Sequence, residues 1–301
     1  MTDPTPQTAA PQHVGWTFLY SRRWLGYFAM LIVFAVACVF LGNWQFDRRA
    51  EARAEIARID ANYDAAPVPL ADELPTLESF DLDGNKWQTV TATGEYVGEP
   101  YFARNRPGPQ GVGSNLLQML RTEQGDIFFV DRGWVPVDGI TADSIDDGSL
   151  SLENLDLPLP ATGTVTVEAR LRASEPQIGG RTATGNTVAS IDLHELAGLS
   201  GTAGEAYTGA YGMLVSESPA RAHGALPERP ERDEGPHLSY ALQWYVFILI
   251  AGIGVAYAAR REFRGLNSGS DAVAEQDRRS AERRSRRRPS DADEEDALLD
   301  A

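Results

Sequence analysis

Two long apolar runs separate this chain into segments of different character. Trp24 to Phe46 carries no charged side chain over 23 residues, and Leu238 to Ala259 carries none over 22. At a rise of about 1.5 Å per residue, either run as a helix crosses a hydrocarbon core about 30 Å thick. A buried core helix is usually shorter and polar on one face. The pattern therefore predicts two membrane-spanning helices, at 24–46 and 238–259.

The first run is expected to remain as an uncleaved anchor. It is longer than the core of a signal peptide, and no small-x-small cleavage site follows it. The next residues, DRRAEARAEIARIDANY, are rich in Ala, Arg and Glu, with Glu55 and Arg58 one turn apart. They predict that the first helix continues to about residue 63 and ends before Pro67.

Between the two runs the pattern becomes one of short Val-, Thr- and aromatic-rich stretches separated by Gly and Pro, which is typical of strands. Residues 163–171 alternate apolar and polar side chains, as in a strand with one packed and one solvated face. The predicted fold is a membrane protein in which two transmembrane helices flank an α+β domain, mainly an antiparallel sheet or partial barrel. The expected strands are 87–96, 101–104, 114–121, 126–132, 163–171 and 207–216, with a hairpin turn at 123–126 and a short helix at 192–199 capped by Asp192.

The remaining segments are predicted to be disordered or draped over the surface. Residues 1–23 form a tail that begins rich in Pro, Thr and Gln, and residues 260–301 form a tail with opposed charge blocks. Residues 138–161 form a long acidic loop. The predicted β-rich domain, 47–237, lies between the two spans.

The net negative charge is confined to that middle domain. The net charge is −16; residues 47–237 hold 15 basic and 31 acidic side chains, whereas the two tails hold 12 of each. A nucleic-acid surface needs a basic stripe, so nucleic-acid binding is not expected. The basic residues next to the spans are too evenly distributed to decide the orientation. Two other features do favour one: a loop as long as the middle domain crosses a membrane largely regardless of its charge, and the C-terminal tail carries seven arginines between Arg278 and Arg288. We expect both termini in the cytoplasm and the middle domain outside it.

Few residues in the sequence have the spacing of an active site. The single cysteine, Cys38, lies inside the first run and cannot build a disulfide, a zinc site or a covalent haem attachment. No nucleophile elbow, Walker loop or Rossmann motif occurs, and the prolines of 106–113 argue for a strand-connecting loop rather than a phosphate site. The four histidines show no metal-ligand spacing; they are His13, His194, His223 and His237.

His237 is the residue whose position invites a chemical interpretation, because it directly precedes the second run. Helical spacing places Tyr240, Ala241 and Trp244 on its face of the helix. An imidazole with aromatic neighbours at the membrane surface suits an axial ligand to haem iron beside a porphyrin plane. An interfacial belt of aromatic residues explains the same pattern, and both interpretations remain open from spacing alone.

Small residues also recur within the runs at packing intervals. They are Cys38 and Gly42 in the first, and Gly252 and Ala256 in the second. Such residues allow two helices to approach closely or to dock on helices of a partner. Chance placement facing lipid is the alternative.

Five segments occur in a characteristic order along the chain. They are LGNWQFDRR (with Leu41, Gly42, Trp44, Gln45 and Arg48), Gly94-Glu95-Tyr96 with Arg106, FVDRGWVP (with Arg132, Gly133, Trp134 and Pro136), Arg170-Leu171-Arg172 with Pro176-Gln177, and HLSYALQW (His237 to Trp244). Together they resemble the surfeit locus protein 1 family, which comprises membrane-bound assembly factors of cytochrome c oxidase. Asp131 stands where the family usually has Asn, and Arg53 lies near the place of a lysine that often follows the first of these motifs.

The resemblance implies a non-enzymatic bacterial protein of the plasma membrane, actinobacterial in appearance, that helps to mature oxidase subunit I. It implies transient handling of haem a, with His237 as ligand of the haem iron and Trp244 and Tyr240 as its motif neighbours. The implied partners are subunit I, the respiratory supercomplex and the lipid bilayer. In FVDRGWVP we expect structural roles: Arg132 pairs with an acid, Trp134 fills the core, and Gly133 permits close packing.

Three other functions compete with haem handling. A scaffold would bind subunit I without touching haem, and its purified form would show no haem band that depends on His237. An envelope sensor would signal through the arginine-rich tail, so that removal of residues 265–301 would abolish function. An enzyme acting on haem lacks a recognisable acid, base or metal constellation.

Overall fold

The computed structural model describes residues 15–136, 157–181, 183–268 and 270–285 of the 301-residue chain. Contacts divide the chain into two units. We call Met1–Ala50 with Gly235–Ala301 the helical unit, and Glu51–Glu234 the barrel unit.

The helical unit contains two long apolar helices, α1 (Arg22–Asn62) and α4 (His237–Leu266). Only 11% of the most apolar segment of α1 and 6% of that of α4 are buried. A core helix of a soluble protein would bury such residues. Both helices are long and apolar enough to cross a membrane, which suggests a membrane protein, and the predicted spans 24–46 and 238–259 lie within them.

The two apolar helices pack against each other along the unit. Cys38 and Ala241 are almost fully buried, and Trp24 is 1% exposed. The Trp24 indole N–H donates to Glu262 Oε2 at 3.1 Å, and Trp24 packs with Phe18 and Phe263. An indole and a carboxylate thus join the start of α1 to the end of α4.

The first helix extends beyond its apolar segment, as the sequence predicted, and ends at Asn62 before Pro67. Within the barrel unit, its Ile59 packs with Tyr63 and Trp87. Glu55 accepts hydrogen bonds from the Trp87 indole at 2.8 Å and pairs with Lys86 at 2.7 Å. The polar end of α1 is therefore part of the folded barrel unit, not only a solvated extension.

Five strands form a closed ring in the described part of the barrel unit. Strand β2 pairs antiparallel with β3, β3 with β4, β7 with β5, and β5 with β2, whereas β4 and β7 are parallel. The predicted sheet or partial barrel is therefore a closed ring with one parallel pair. The elements in chain order are β1 (Val68–Pro69), α2 (Leu70–Glu73), β2 (Thr89–Gly108), β3 (Gly111–Thr122), β4 (Ile127–Pro136), β5 (Thr164–Ala173), β6 (Thr187–Val188), α3 (Leu193–Leu199) and β7 (Ala210–Ser218).

A single strand, β2, replaces the two strands predicted at 87–96 and 101–104. Its first half pairs with β5 and its second half with β3, and the exchange occurs at Gly94, which faces both Val165 and Thr122. A Cβ on Gly94 would lie 2.0 Å from the Arg121 carbonyl oxygen. Glycine is therefore required where three strands converge.

Strand β4 is buried on both faces, which explains its almost continuous apolar sequence. Phe128 and Val130 belong to one core cluster, with Val167 and Leu171. Ile127 and Phe129 belong to a second cluster that includes the apolar side of α3. The predicted cap of that helix is confirmed, because Asp192 accepts hydrogen bonds from the backbone N–H groups of His194 and Glu195.

The predicted tails and loop need correction where the structure describes them. Thr17–Tyr20 form a 3-10 helix with Phe18 buried, and Asp271–Ser285 form a further helix, α5. Neither segment is disordered, contrary to the prediction for the two tails. Of the predicted loop 138–161, residues 138–156 lie outside the described ranges, and Ala161 at its end is buried in the core.

Candidate functional site

A hydrogen bond joins the two motifs at the ends of the apolar helices. The Nδ1 atom of His237, the first residue of α4, lies 2.8 Å from the Oε1 atom of Gln45 in α1. In sequence, Gln45 is next to the last residue of the first apolar run, and His237 immediately precedes the second. The pair therefore lies at the end of the apolar segment of α1 and at the start of the apolar segment of α4.

This contact determines how the imidazole can act. A side-chain amide oxygen only accepts hydrogen bonds, so His237 Nδ1–H donates to Gln45. In the neutral ring, Nε2 then carries the lone pair, which is the nitrogen available to a metal. Ligating histidines are commonly oriented in this way by a partner on the second nitrogen. In this arrangement, Gln45 leaves the lone pair of the neutral His237 ring on Nε2.

Close helix packing supports the contact one turn away. A Cβ on Gly42 would lie 2.9 Å from Cε2 of Tyr245, whose hydroxyl donates to Asn43 Oδ1 at 3.0 Å. By contrast, a Cβ on Gly252 would meet nothing within 4 Å. Of the small residues singled out from sequence, Cys38 and Gly42 lie in the helix contact, whereas Ala256 is exposed.

The aromatic residues near His237 have different surroundings. Tyr240 is 49% exposed, and Trp44 is 46% exposed with the Arg48 guanidinium 6.0 Å from its ring centre. Trp244 is half-buried and packs edge-on against Phe247. The predicted common face of His237, Tyr240 and Trp244 is thus divided between packed and exposed positions. Sequence reasoning missed Gln45 as the partner of His237.

No group of three or more His, Cys, Asp or Glu side chains that could hold a metal ion occurs in the described ranges. A bare metal ion needs several protein ligands. Haem iron already has four porphyrin nitrogens and needs only axial ligands, for which one histidine is a common choice. A single imidazole oriented through Nδ1 therefore fits a haem ligand.

The second prominent motif, FVDRGWVP, builds a buried ion pair in the barrel unit. Arg132 is fully buried, and its Nη2 lies 2.9 Å from Oε1 of Glu217, which is itself 2% exposed at the side chain. The Tyr96 hydroxyl donates to the other oxygen of Glu217 at 2.9 Å. Arg132 also donates to the backbone carbonyls of Pro158 and Ala222. The expected pairing of Arg132 with an acid is confirmed.

The next two residues of the motif also have packing roles. Trp134 lies over Gly108 and Gly113, where an added Cβ would come within 2.3 Å of its ring, and its indole N–H donates to the Arg106 carbonyl at 3.0 Å. Gly133 has φ +102° and would clash with Gly224 if it had a Cβ. Pro136 ends the strand at an exposed position. These residues hold the barrel together rather than forming an open site.

A polar cluster lies beside this motif. Arg106 and Glu175 form a two-pronged ion pair, and hydrogen bonds from Arg106 and from the Ile191 backbone keep the pKa of Glu175 below its usual value despite burial. Asp131 accepts hydrogen bonds from Asn115 Nδ2 and Gly133 N. Burial nevertheless raises the pKa of Asp131 to about 6.

Asp131→Asn is therefore expected to stabilise the protein above pH 6. Because the folded pKa of Asp131 is raised above 3.8, the folded state binds this proton more tightly, and stability falls as pH rises from about 4 to about 6. Asp131→Asn removes this loss of stability. The substituted side chain can still accept the hydrogen bond from Gly133 N, and it can keep the one with Asn115 if the Asn115 amide rotates so that its oxygen becomes the acceptor. Urea unfolding at pH 8 should show a gain on the order of 2 kcal/mol that disappears at pH 4. The exposed Asp72→Asn is the control; an equal effect in both variants contradicts the explanation.

The fold and site define a class of protein: a two-helix membrane-protein candidate that carries a closed β-barrel unit. Within that class, the SURF1 family profile matches residues 32–249, and the chain belongs to this family. Uncharacterized SURF1-like proteins of Mycobacterium bovis and of two Mycobacterium tuberculosis strains are each 32% identical over 254 residues, covering 82% of this chain and 87% of the relative. The expected family membership and actinobacterial likeness are confirmed. SURF1 proteins act in cytochrome oxidase assembly, are generally non-enzymatic, and are linked to haem a insertion.

Proposed function

We propose that this protein assists assembly of a haem–copper cytochrome c oxidase by holding haem a through His237 before its insertion into subunit I. The observation that carries the proposal is the hydrogen bond from His237 Nδ1 to Gln45 Oε1. It joins the two family motifs and presents Nε2 for ligation. His237 would hold haem a through Nε2, and the haem would supply the redox-active iron that the oxidase needs.

The surroundings of His237 suit temporary binding. Trp44 and Tyr240 are about half exposed, so they offer aromatic surface to a porphyrin without enclosing it. The apolar helices continue on one side of the pair and charged residues begin on the other at Asp47. An amphipathic ligand could rest at this boundary and leave again, whereas an enclosed pocket would slow its release.

The proposed topology has spans at 24–46 and 238–259, both termini in the cytoplasm, and residues 47–237 outside it, in a bacterial plasma membrane. The charge distribution supports it, because the excess of acidic side chains lies in 47–237 and the tails are balanced. In this arrangement the acidic barrel unit is the surface offered to subunit I or to the respiratory supercomplex. No described cluster requires an enzymatic role.

A complementation experiment tests the function. A strain lacking this gene is supplied with the wild type, His237→Ala, or His194→Ala as a control at an exposed histidine of the barrel unit. We expect the wild type and His194→Ala to restore oxidase activity and the haem a band in membranes, and His237→Ala to restore several-fold less of both. Full restoration by His237→Ala at equal protein level would favour the scaffold function instead.

Removing residues 265–301 separates assembly from signalling. This deletion takes away the last two residues of α4, α5 and the following charged residues, but leaves the apolar segments of both long helices and the barrel unit. We expect oxidase activity to persist. Loss of oxidase activity despite normal membrane insertion would support the envelope sensor.

A further inference from the structure

Five arginines converge at the end of α4 opposite to His237. Arg260, Arg261 and Arg264 come from the last turns of α4, and Arg279 and Arg283 come from α5. Together with Trp16 and other neighbours they line a cleft of about 690 Å³ within the helical unit. No part of the proposed haem function uses this cleft.

Nearby acidic side chains neutralise only part of the positive charge of the cleft. Arg264 pairs with Asp277 at 2.7 Å, and Arg279 pairs with Glu275 at 2.8 Å. Within the described ranges, Arg260, Arg261 and Arg283 have no ion-pair partner. Glu262, between two of the cleft arginines in sequence, is engaged by Arg23 and the Trp24 indole. Three guanidinium groups are thus available to an anion, and guanidinium groups match phosphate oxygens in a two-pronged geometry.

The position of the cleft along α4 indicates which class of anion it binds. Arg260 directly follows the charge-free run 238–259. On the same stripe of the helix, at intervals of three or four residues, Ile250, Ile253 and Tyr257 lead up to the arginines and are 58%, 61% and 67% exposed. This stripe is apolar along the span and cationic at its end. It matches a molecule with hydrocarbon chains and a negatively charged head.

We propose that the arginine cleft binds the phosphate headgroup of an anionic phospholipid, whose acyl chains lie along Ile250, Ile253 and Tyr257. Trp16, 44% exposed, and Tyr257 line the cleft beside the arginines, and aromatic side chains commonly flank lipid headgroups at membrane interfaces. α5 closes the cleft from the other side with Arg279 and Arg283. The bound lipid would hold α5 against the end of α4, since both helices contribute arginines to one headgroup.

The test uses the full chain in detergent, titrated with phosphatidylglycerol or phosphatidylcholine in mixed micelles, with bound lipid counted by native mass spectrometry. The cleft variant carries Arg260→Gln, Arg261→Gln and Arg283→Gln. The matched control loses the same charge at three exposed arginines of the barrel unit: Arg121→Gln, Arg181→Gln and Arg221→Gln. A third variant carries Arg260→Lys, Arg261→Lys and Arg283→Lys and keeps the charge.

The wild type should prefer phosphatidylglycerol over phosphatidylcholine. The cleft variant should lose roughly 100-fold in affinity for phosphatidylglycerol, given the contribution expected of each arginine near an anionic surface. The barrel control should bind as the wild type does, and the lysine variant should retain most binding, which shows that the helices remain folded. Equal losses in the cleft variant and the control overturn the proposal, as does displacement of the lipid by millimolar inorganic phosphate, which would mark a soluble-anion site.

Discussion

Arg132→Met is expected to lower the free energy of unfolding by about 3–5 kcal/mol, a large fraction of the roughly 5–15 kcal/mol that stabilises an ordinary protein. The change leaves the Glu217 carboxylate buried without its cation. It also removes the donors to the carbonyls of Pro158 and Ala222. Urea unfolding of the full chain in detergent, followed by near-ultraviolet circular dichroism, measures the loss.

Two further variants separate charge burial from general damage. Arg121→Met removes an arginine that pairs with Glu205 at 3.5 Å with both side chains exposed, so it should cost no more than about 1 kcal/mol. Adding Glu217→Gln to Arg132→Met should recover part of the stability, because no unpaired buried charge remains and Tyr96 keeps an acceptor. Equal costs for Arg132→Met and Arg121→Met would refute the role assigned to the buried pair.

Gln45→Leu is expected to weaken haem a binding by roughly 10–100-fold, the usual effect of removing the group that orients a ligating histidine. Leucine keeps the apolar stem but cannot accept the proton on His237 Nδ1. Gln45→Glu keeps an acceptor and should retain binding, with a lower reduction potential of the bound haem because a carboxylate makes the imidazole a stronger donor. Gln243→Leu, at an exposed position of α4, is the control.

The reduction potential of the bound haem distinguishes two roles of Gln45, which are orienting the His237 imidazole and packing the two helices together. If Gln45 only packs the helices, Gln45→Glu should leave the potential of any bound haem unchanged. If it acts through Nδ1, the potential should move while the helical content stays constant. An unshifted potential together with full affinity in Gln45→Leu would remove the positioning role.

Local patterns were sufficient to predict much of this fold. The charge-free runs predicted α1 and α4, and the Asp192 cap followed from its position before an apolar run. The roles of Arg132, Gly133 and Trp134 were also predicted, because a charged residue within a strand that is otherwise almost wholly apolar needs a partner and a neighbouring glycine allows close approach. These predictions needed only the residues inside each segment, although the partners of Arg132 and Gly133, Glu217 and Gly224, lie far away in sequence.

The features that were missed depend on contacts distant in sequence. Gln45 and His237 are 192 positions apart, and each motif by itself gives no indication that they form a hydrogen bond. Closure of the ring and the parallel pairing of β4 with β7 are set by strands far apart in the chain. The α5 helix was missed because its arginines and acids resembled a solvated tail, although Arg264 and Asp277 join it to α4.

The most direct test is the visible absorption spectrum of the full-length protein during titration with haem a in detergent. We expect the wild type and His194→Ala to develop a histidine-ligated spectrum at one haem per chain, and His237→Ala to develop none at the same concentrations. An identical spectrum and stoichiometry in His237→Ala would show that another group holds the haem, and would contradict the assignment of His237 as its ligand.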